Sequence, residues 1–197
     1  MIIIKHRVNT INEIVSTPYS YGVEIDLRTF GSEIIIHHDP FHEGVKFSEW
    51  LQYYNHAFLV LNIKEDGLET FISELIEKFK VKNYFFLDQP IPSLFKFSKT
   101  SPEFASVRIS DIESTENALK INSGWAWLDS HTGDWDYLLN AMEQLKSRNI
   151  KMCLVSPELQ RTNYEKEISQ LKKLTSKSLI GFDAVCTKYP YIWADIN

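Results

Sequence analysis

Basic charge is in short supply: 21 Lys and Arg stand against 26 Asp and Glu, a formal net charge of −5. The basic residues form no stripe, so a partner with a phosphate backbone such as nucleic acid is excluded. Cysteine is scarcer still. Cys153 and Cys186 each sit inside an apolar run, reading as small buried hydrophobes of a reduced, cytoplasmic protein. With seven Gly and seven Pro the chain is neither collagen-like nor a proline-rich spacer. Neither G-x-G-x-x-G nor G-K-[ST] occurs, so a glycine-rich phosphate loop is missing. Long apolar runs are missing too. The opening Ile2-Ile3-Ile4 falls short of the ~7–15 residues of a leader and the ~20 of a membrane span, and neither is expected. Apolar residues are not lacking: at 44% they suffice for a sizeable core, which excludes a disordered chain.

Short β-rich runs alternate with helical patterns along the whole sequence. Strands are predicted at Ile2–Lys5, Gly22–Thr29, Glu33–His37, Ala57–Ile63, Asn83–Leu87, Ser106–Ile109, Trp125–Leu128, Lys151–Val155 and Phe182–Cys186. Helices are predicted at 10–16, 46–55, 68–80, 91–99, 114–120, 135–148 and 164–174. In the helix over 135–148, Leu138, Leu139, Met142 and Leu145 share one face. A Gly31-Ser32 turn joins the second and third strands. No linker, charge block or repeat divides the chain, which reads as one domain over 1–197. Strands apolar almost throughout suit a parallel sheet sheathed by helices. About eight such units point to a compact α/β fold, a (β/α)₈ TIM barrel, shorter than the ~250 residues usual for one. The competing open doubly wound sheet would favour the glycine-rich loop that is missing.

Barrel chemistry gathers at the C-terminal strand ends. His6 and Arg7 end the first strand; Glu24 and Asp26, two apart, share one face of the second. His38 and Asp39 follow the third. Asn62 and Lys64 share a face at the end of the next, and Asp88, Arg108, Asp129, Glu158 and Lys188 end or follow later ones. Taken singly, a carboxylate reads as a solvated strand face, a histidine as structural, and Arg108 with Asp129 as an ordinary ion pair. Their joint position on one rim carries the functional reading. Paired carboxylates with a further oxygen ligand suit one divalent cation, Mg²⁺ or Ca²⁺. Histidines can move protons near neutral pH, and an Arg with a Lys suits an anionic phosphate. The sum describes metal-assisted phosphoryl transfer.

In order, His6-Arg7, Asn9-Thr10, Gly22-Val23-Glu24-Ile25-Asp26-Leu27 and His38-Asp39-Pro40 resemble the glycerophosphodiester phosphodiesterase family, whose pattern runs H-R-G, P-E-N-T, E-x-D and H-D. Leu61-Asn62-Ile63-Lys64 looks like its third strand, and Gly181 to Pro190 like its closing G-x-D-G-I-x-T-D-x-P. The resemblance implies a (β/α)₈ barrel that hydrolyses a small phosphodiester with a divalent cation. It implies His6 and His38 as the acid/base pair, Glu24 and Asp26 as metal ligands, Arg7 on the phosphate and Lys64 on its transition-state charge. The chain departs from the pattern at Val8, where the family has glycine and where crowding of the phosphate is expected. The loop carrying P-E is deleted. Asn62 stands in place of a carboxylate ligand, still offering a carbonyl oxygen but one charge fewer; Lys188 stands where Asp is usual.

The expected function is a metal-dependent hydrolase of a glycerophosphodiester-like or sugar-phosphate diester. The alternative is a degenerate barrel that binds without turnover, favoured by Asn62 and Val8. Tyr53, Tyr54, Tyr189, Tyr191 and Trp193 fit either an interface or barrel packing, which leaves the oligomeric state open.

Overall fold

The structure, a computed structural model, describes residues 1–177 and 181–194. Its strands are β1 (Ile2–Lys5), β2 (Gly22–Phe30), β3 (Glu33–Ile36), β4 (Val45–Lys46), β5 (Phe58–Ile63), β6 (Tyr84–Leu87), β7 (Ser106–Ile109), β8 (Trp125–Leu128), β9 (Lys151–Val155) and β10 (Ala184–Thr187). The helices are α1 (Ile11–Ser16), α2 (Phe47–Trp50), α3 (Glu69–Lys78), α4 (Ile91–Ser98), α5 (Glu116–Ile121), α6 (Leu138–Ser147), α7 (Glu165–Lys177) and α8 (Pro190–Trp193).

Eight strands run parallel in the order β7-β8-β9-β10-β1-β2-β5-β6. At the seam from β6 to β7 the ladder thins to one parallel bridge, Phe86 to Ala105, beside a 2.6 Å hydrogen bond from Ser106 Oγ to the Phe86 carbonyl. The fold is a (β/α)₈ barrel, as the alternation of strands and helices predicts.

Register fixes which side chains point inward. Gly22 pairs with Phe58, Glu24 with Val60 and Asp26 with Asn62; Val60 pairs with Phe85, and Arg108 with Trp127. Partners across a parallel ladder share a face, and each strand alternates faces along its length. The lower interior is aromatic: Phe58, Phe85 and Trp125 pack with ring centroids 4.9–5.6 Å apart. Gly22 makes room for them, since a Cβ there would lie 2.9 Å from Ile4 Cγ1. Climbing the same strands, the inward positions turn polar: Glu24, then Asp26 and Asn62. Val23, Ile25, Leu27, Leu59 and Leu61 face outward and bury against Ile14, Trp50 and Ile72 of the helices.

The strand predicted over 33–37 is present after its Gly31-Ser32 turn, and the helix predicted over 46–55 comes out differently. The third predicted strand is no barrel stave: β3 folds back antiparallel on β2 (Phe30 opposite Glu33, Leu27 opposite Ile36), across a turn with Gly31 at φ 62°. β2 therefore rises above the mouth, and β3 returns outside the ring. The helix predicted over 46–55 is confined to α2 and a 3₁₀ turn at Leu51–Tyr53. Tyr54 leaves it with extended backbone and stacks on Trp50, centroids 5.8 Å apart. Trp193, expected among exposed aromatics, is fully buried and donates its indole N–H to Ser156 Oγ at 2.8 Å. Both cysteines are free and buried, as expected.

Candidate active site at the barrel mouth

Glu24 is the hub. Burial removes it from water, so its oxygens need donors, and the sequence supplies them from the two strands that flank β2. The chain leaves β1 through Arg7 in a left-handed conformation (φ 53°), which turns the Arg7 N–H toward Glu24 Oε2 at 2.8 Å. Asn62 of β5 donates its Nδ2 to Oε1 at 2.9 Å, and His6 Nε2 stands 3.7 Å from Oε2. Asp26, one inward position higher, accepts from Asn9 Nδ2 at 2.8 Å, while its own N–H donates to Asn9 Oδ1 at 3.1 Å. Lys64 Nζ faces Asp26 Oδ1 at 3.3 Å, and Arg7 Nε lies 3.7 Å from Oδ2.

A second charge network closes the far side. Arg108 of β7 grips Asp88 through Nε and Nη2 (2.7–3.1 Å) and donates Nη1 to buried Asp129. Asp129 also accepts from Gln160 Nε2 at 3.0 Å. Asp88 is left-handed (φ 60°), a conformation that costs energy in a non-glycine residue, and its carboxylate reaches to 4.0 Å from Lys64 Nζ. The two networks thus meet at Lys64.

Between them lies a cavity of about 180 Å³, lined by His6, Arg7, Glu24, Asn62 and Lys64 on one side and Asp88, Arg108, Trp127 and Asp129 on the other. Two larger clefts flank it. One, about 620 Å³, shares Arg7 with the mouth and is lined by Asn9, His38, Asp39 and Glu43 among others. The other, about 500 Å³, shares Leu159 and Gln160 with it.

The structure therefore gathers His6, Arg7, Glu24, Asn62 and Lys64 around one cavity, with Asp26 directly behind. His38 stands apart and lines the neighbouring cleft, its Nδ1 2.8 Å from Asp39 Oδ1. The cause is the hairpin, which places the segment after β3 beside the ring of staves. Val8 does not crowd the site. Its side chain is buried in the outer apolar layer with Ile14 and Trp50, whose indole N–H donates to the Val8 carbonyl at 3.1 Å. Sequence reasoning missed the roles of Asn9, which clamps Asp26 from both sides, and of Gln160, which holds Asp129. The Asn9-Thr10 pair carried part of the signal, since Thr10 caps α1 reciprocally with Glu13 and so fixes Asn9 just before the helix.

Burial and neighbouring charge push the two central titrating groups in opposite directions. Desolvation, with the positive charge of Arg7 next, holds the His6 imidazole down at about 3, so it is neutral at physiological pH, with its basicity weakened by the same burial. Desolvation and then the Asp26 charge push the Glu24 carboxyl up to about 7, against the hydrogen bonds from Asn62 and the Arg7 N–H.

Among the described residues no three His, Cys, Asp or Glu side chains converge as a metal-holding group. The oxygens nevertheless fit a hard cation. Asn62 Oδ1 is buried without a hydrogen-bond donor, and Asp26 Oδ1 accepts no hydrogen bond and faces the Lys64 ammonium at 3.3 Å, both next to the Glu24 carboxylate. Two carboxylates and an amide carbonyl form an all-oxygen set of the kind Mg²⁺ and Ca²⁺ take.

This fold is that of the glycerophosphodiester phosphodiesterase barrels. Among solved structures, the chain is similar to a glycerophosphodiester phosphodiesterase from Agrobacterium tumefaciens, with a TM-score of 0.69 and 11% identity over 98% of this chain and 99% of that one. A glycerophosphoryl diester phosphodiesterase from Parabacteroides distasonis gives 0.68 at 14% identity, covering 99% and 85%. One from Thermotoga maritima gives 0.62 at 15%, covering 100% and 98%. No family model and no curated protein sequence matches the chain. The likeness lies in the fold, which agrees with the resemblance read from His6 to Pro40.

Proposed function

We propose that this chain is a divalent-cation-dependent hydrolase of small phosphodiesters, of the glycerophosphodiester or sugar-phosphate kind. The observation that carries the proposal is the convergence of neutral His6, cationic Arg7 and Lys64, and the oxygens of Glu24 and Asn62 on one small cavity, with Asp26 directly behind and paired to Lys64. The neighbours named as glycerophosphodiester phosphodiesterases share the barrel and direct the choice of substrate class.

In this reading a phosphodiester core occupies the mouth, its alcohols extending into the flanking clefts. Arg7 and Lys64 pair with the non-bridging oxygens and balance the charge that grows in the transition state. Glu24, Asp26 and Asn62 would hold the cation, which would supply Lewis-acid polarisation of a phosphate oxygen. Water attacks phosphorus as the P–O bond to the leaving alcohol breaks, and His6 accepts the proton of that water at Nε2. His38, the partner that the resemblance implies, lines the neighbouring cleft and would protonate an alkoxide that leaves through it. The Asp88–Arg108–Asp129 network holds Lys64 at the mouth. The free buried cysteines support a reducing, cytoplasmic setting, and among the described residues no helix is long and apolar enough to cross a membrane.

A specific observation favours the second reading, a barrel that binds but does not turn over. Asn62 spends its Nδ2 on Glu24, which holds the pair together without a cation. The test is hydrolysis of a diester panel with Mg²⁺, Ca²⁺, Mn²⁺ or EDTA. Turnover that needs metal and falls about 10²–10⁴-fold in His6→Ala is the expected result. A folded protein inert with every metal leaves the binding barrel in its place.

A further inference from the structure

The cavity of about 500 Å³ beside the mouth is built from the segment after β9 and the end of β10. A buried carboxylate locks these two together. Glu158 accepts hydrogen bonds from the Ser156 and Thr187 hydroxyls through its two oxygens, and from the Lys188 N–H at 3.0 Å. The wall is thus rigid before any ligand arrives, which lowers the cost of binding.

What the wall presents is polar and close to neutral. Arg161 is already committed, to Glu167 (2.6 and 2.9 Å) and to the Ser130 carbonyl (2.7 Å). The Lys188 ammonium, whose contact within the protein is the Glu158 carbonyl at 3.4 Å, is balanced by the buried Glu158 charge. Thr162 and Asn163 are exposed, and their side chains point no hydrogen bond at any described residue. Hydroxyl, amide and amine together offer both donors and acceptors, with no unpaired carboxylate for a cationic headgroup and Leu159 as the one aliphatic side chain in the lining. Tyr164 and Tyr189, each next in sequence to a lining residue, stand with ring centroids 6.3 Å apart. The cleft on the opposite flank differs, since Glu13, Asp39 and Glu43 outnumber Arg7 there.

We propose that this cavity is the subsite for one alcohol of the diester, and that the alcohol is a neutral cyclic polyol, a hexose or an inositol. The inference rests on the phosphodiesterase reading: the mouth at about 180 Å³ takes the phosphodiester core, and Leu159 and Gln160 line both spaces. Thr162, Asn163 and Lys188 bind the hydroxyls of the polyol, and the Tyr164–Tyr189 pair takes its C–H surface.

The experiment compares kcat/KM for glycerophosphoinositol and a glycerophosphohexose with that for glycerophosphoethanolamine and glycerophosphocholine. It is run on the wild type, on Asn163→Ala with Thr162→Val, and separately on Tyr189→Ala. Free myo-inositol and free hexose are titrated by saturation-transfer NMR on the same proteins. A preference of about tenfold or more for one polyol diester, shrinking in the variants by the threefold to tenfold of each lost hydrogen bond, is the expected result. Hydrolysis with equal kcat/KM across the panel, or a preference untouched by the variants, overturns the subsite and leaves the phosphodiesterase reading standing. Polyol binding that the variants abolish, in a protein that hydrolyses nothing, supports the cavity and fails the phosphodiesterase reading. Neither binding nor hydrolysis overturns both.

Discussion

Replacing Asn62 by Asp turns the central contact of the mouth from attraction to repulsion. In the structure Asn62 Nδ2 donates to Glu24 Oε1 at 2.9 Å, both residues being buried. The substitution removes a hydrogen bond to a charged group, about 1.5–3 kcal/mol, and places a third carboxylate beside Glu24 and Asp26. Without a cation we therefore expect destabilisation of about 3 kcal/mol. For a domain of this size each kcal/mol moves the midpoint by about 2–4 °C, so the unfolding temperature should drop by roughly 6–12 °C in EDTA. A bound cation offsets the repulsion, and at a hundred times its Kd it restores about 2.7 kcal/mol. Thermal unfolding in EDTA and across a Mg²⁺ or Ca²⁺ titration, with calorimetry for affinity, reads both halves. The reasoning fails if Asn62→Asp melts like the wild type in EDTA, or if it gains no more than the wild type from either cation.

Other consequences follow from the same geometry. Because the Glu24 carboxyl is held at about 7, above its usual 4.5, its contribution to stability is complete below pH 4.5 and lost as pH rises through 7, a difference of about 3 kcal/mol. Urea unfolding of Glu24→Gln should accordingly improve relative to wild type between pH 4.5 and 8; parallel pH profiles would refute the shift. His6, held at about 3, acts with the opposite sign: its contribution is lost as pH falls from 6.5 toward 3, so His6→Asn should narrow the acid sensitivity seen below pH 6. Arg108→Ala strands buried Asp129 without its cation and should cost about 3 kcal/mol in chemical denaturation. Arg108→Lys should recover little of it, since one ammonium does not reproduce the fork that spans Asp88 and Asp129.

The barrel was legible because its staves are short, apolar and evenly interrupted, and the β2 pair Glu24 and Asp26 could be put on one face by counting by two. Asn62 and Lys64 were placed on a common face by the same rule, and the register Asp26 to Asn62 brings those faces together. Periodicity alone does not say where the strand over 33–37 goes. Glu33–Ile36 looks like any stave, and whether a strand joins the ring or folds back depends on a two-residue turn too short for a crossover to a parallel neighbour. That topological choice moves His38 out of the mouth and into the next cleft. Val8 was read against a glycine at the same position in a pattern, but the direction of its side chain is set by the left-handed turn at Arg7, which no composition reveals. The buried Glu158 tether was invisible for another reason: besides nearby Ser156, its partners Thr187 and Lys188 lie about thirty residues on at the end of another strand, and nothing local marks them as neighbours.

The central claim, that the mouth hydrolyses a phosphodiester with His6 moving the proton, is tested most directly by following a glycerophosphodiester by ³¹P NMR with Mg²⁺ or Ca²⁺ present. The account predicts a phosphomonoester that accumulates in the wild type, not in His6→Ala and not in EDTA. A cyclic phosphate as the end product, or a monoester forming at the same rate in His6→Ala, would contradict it.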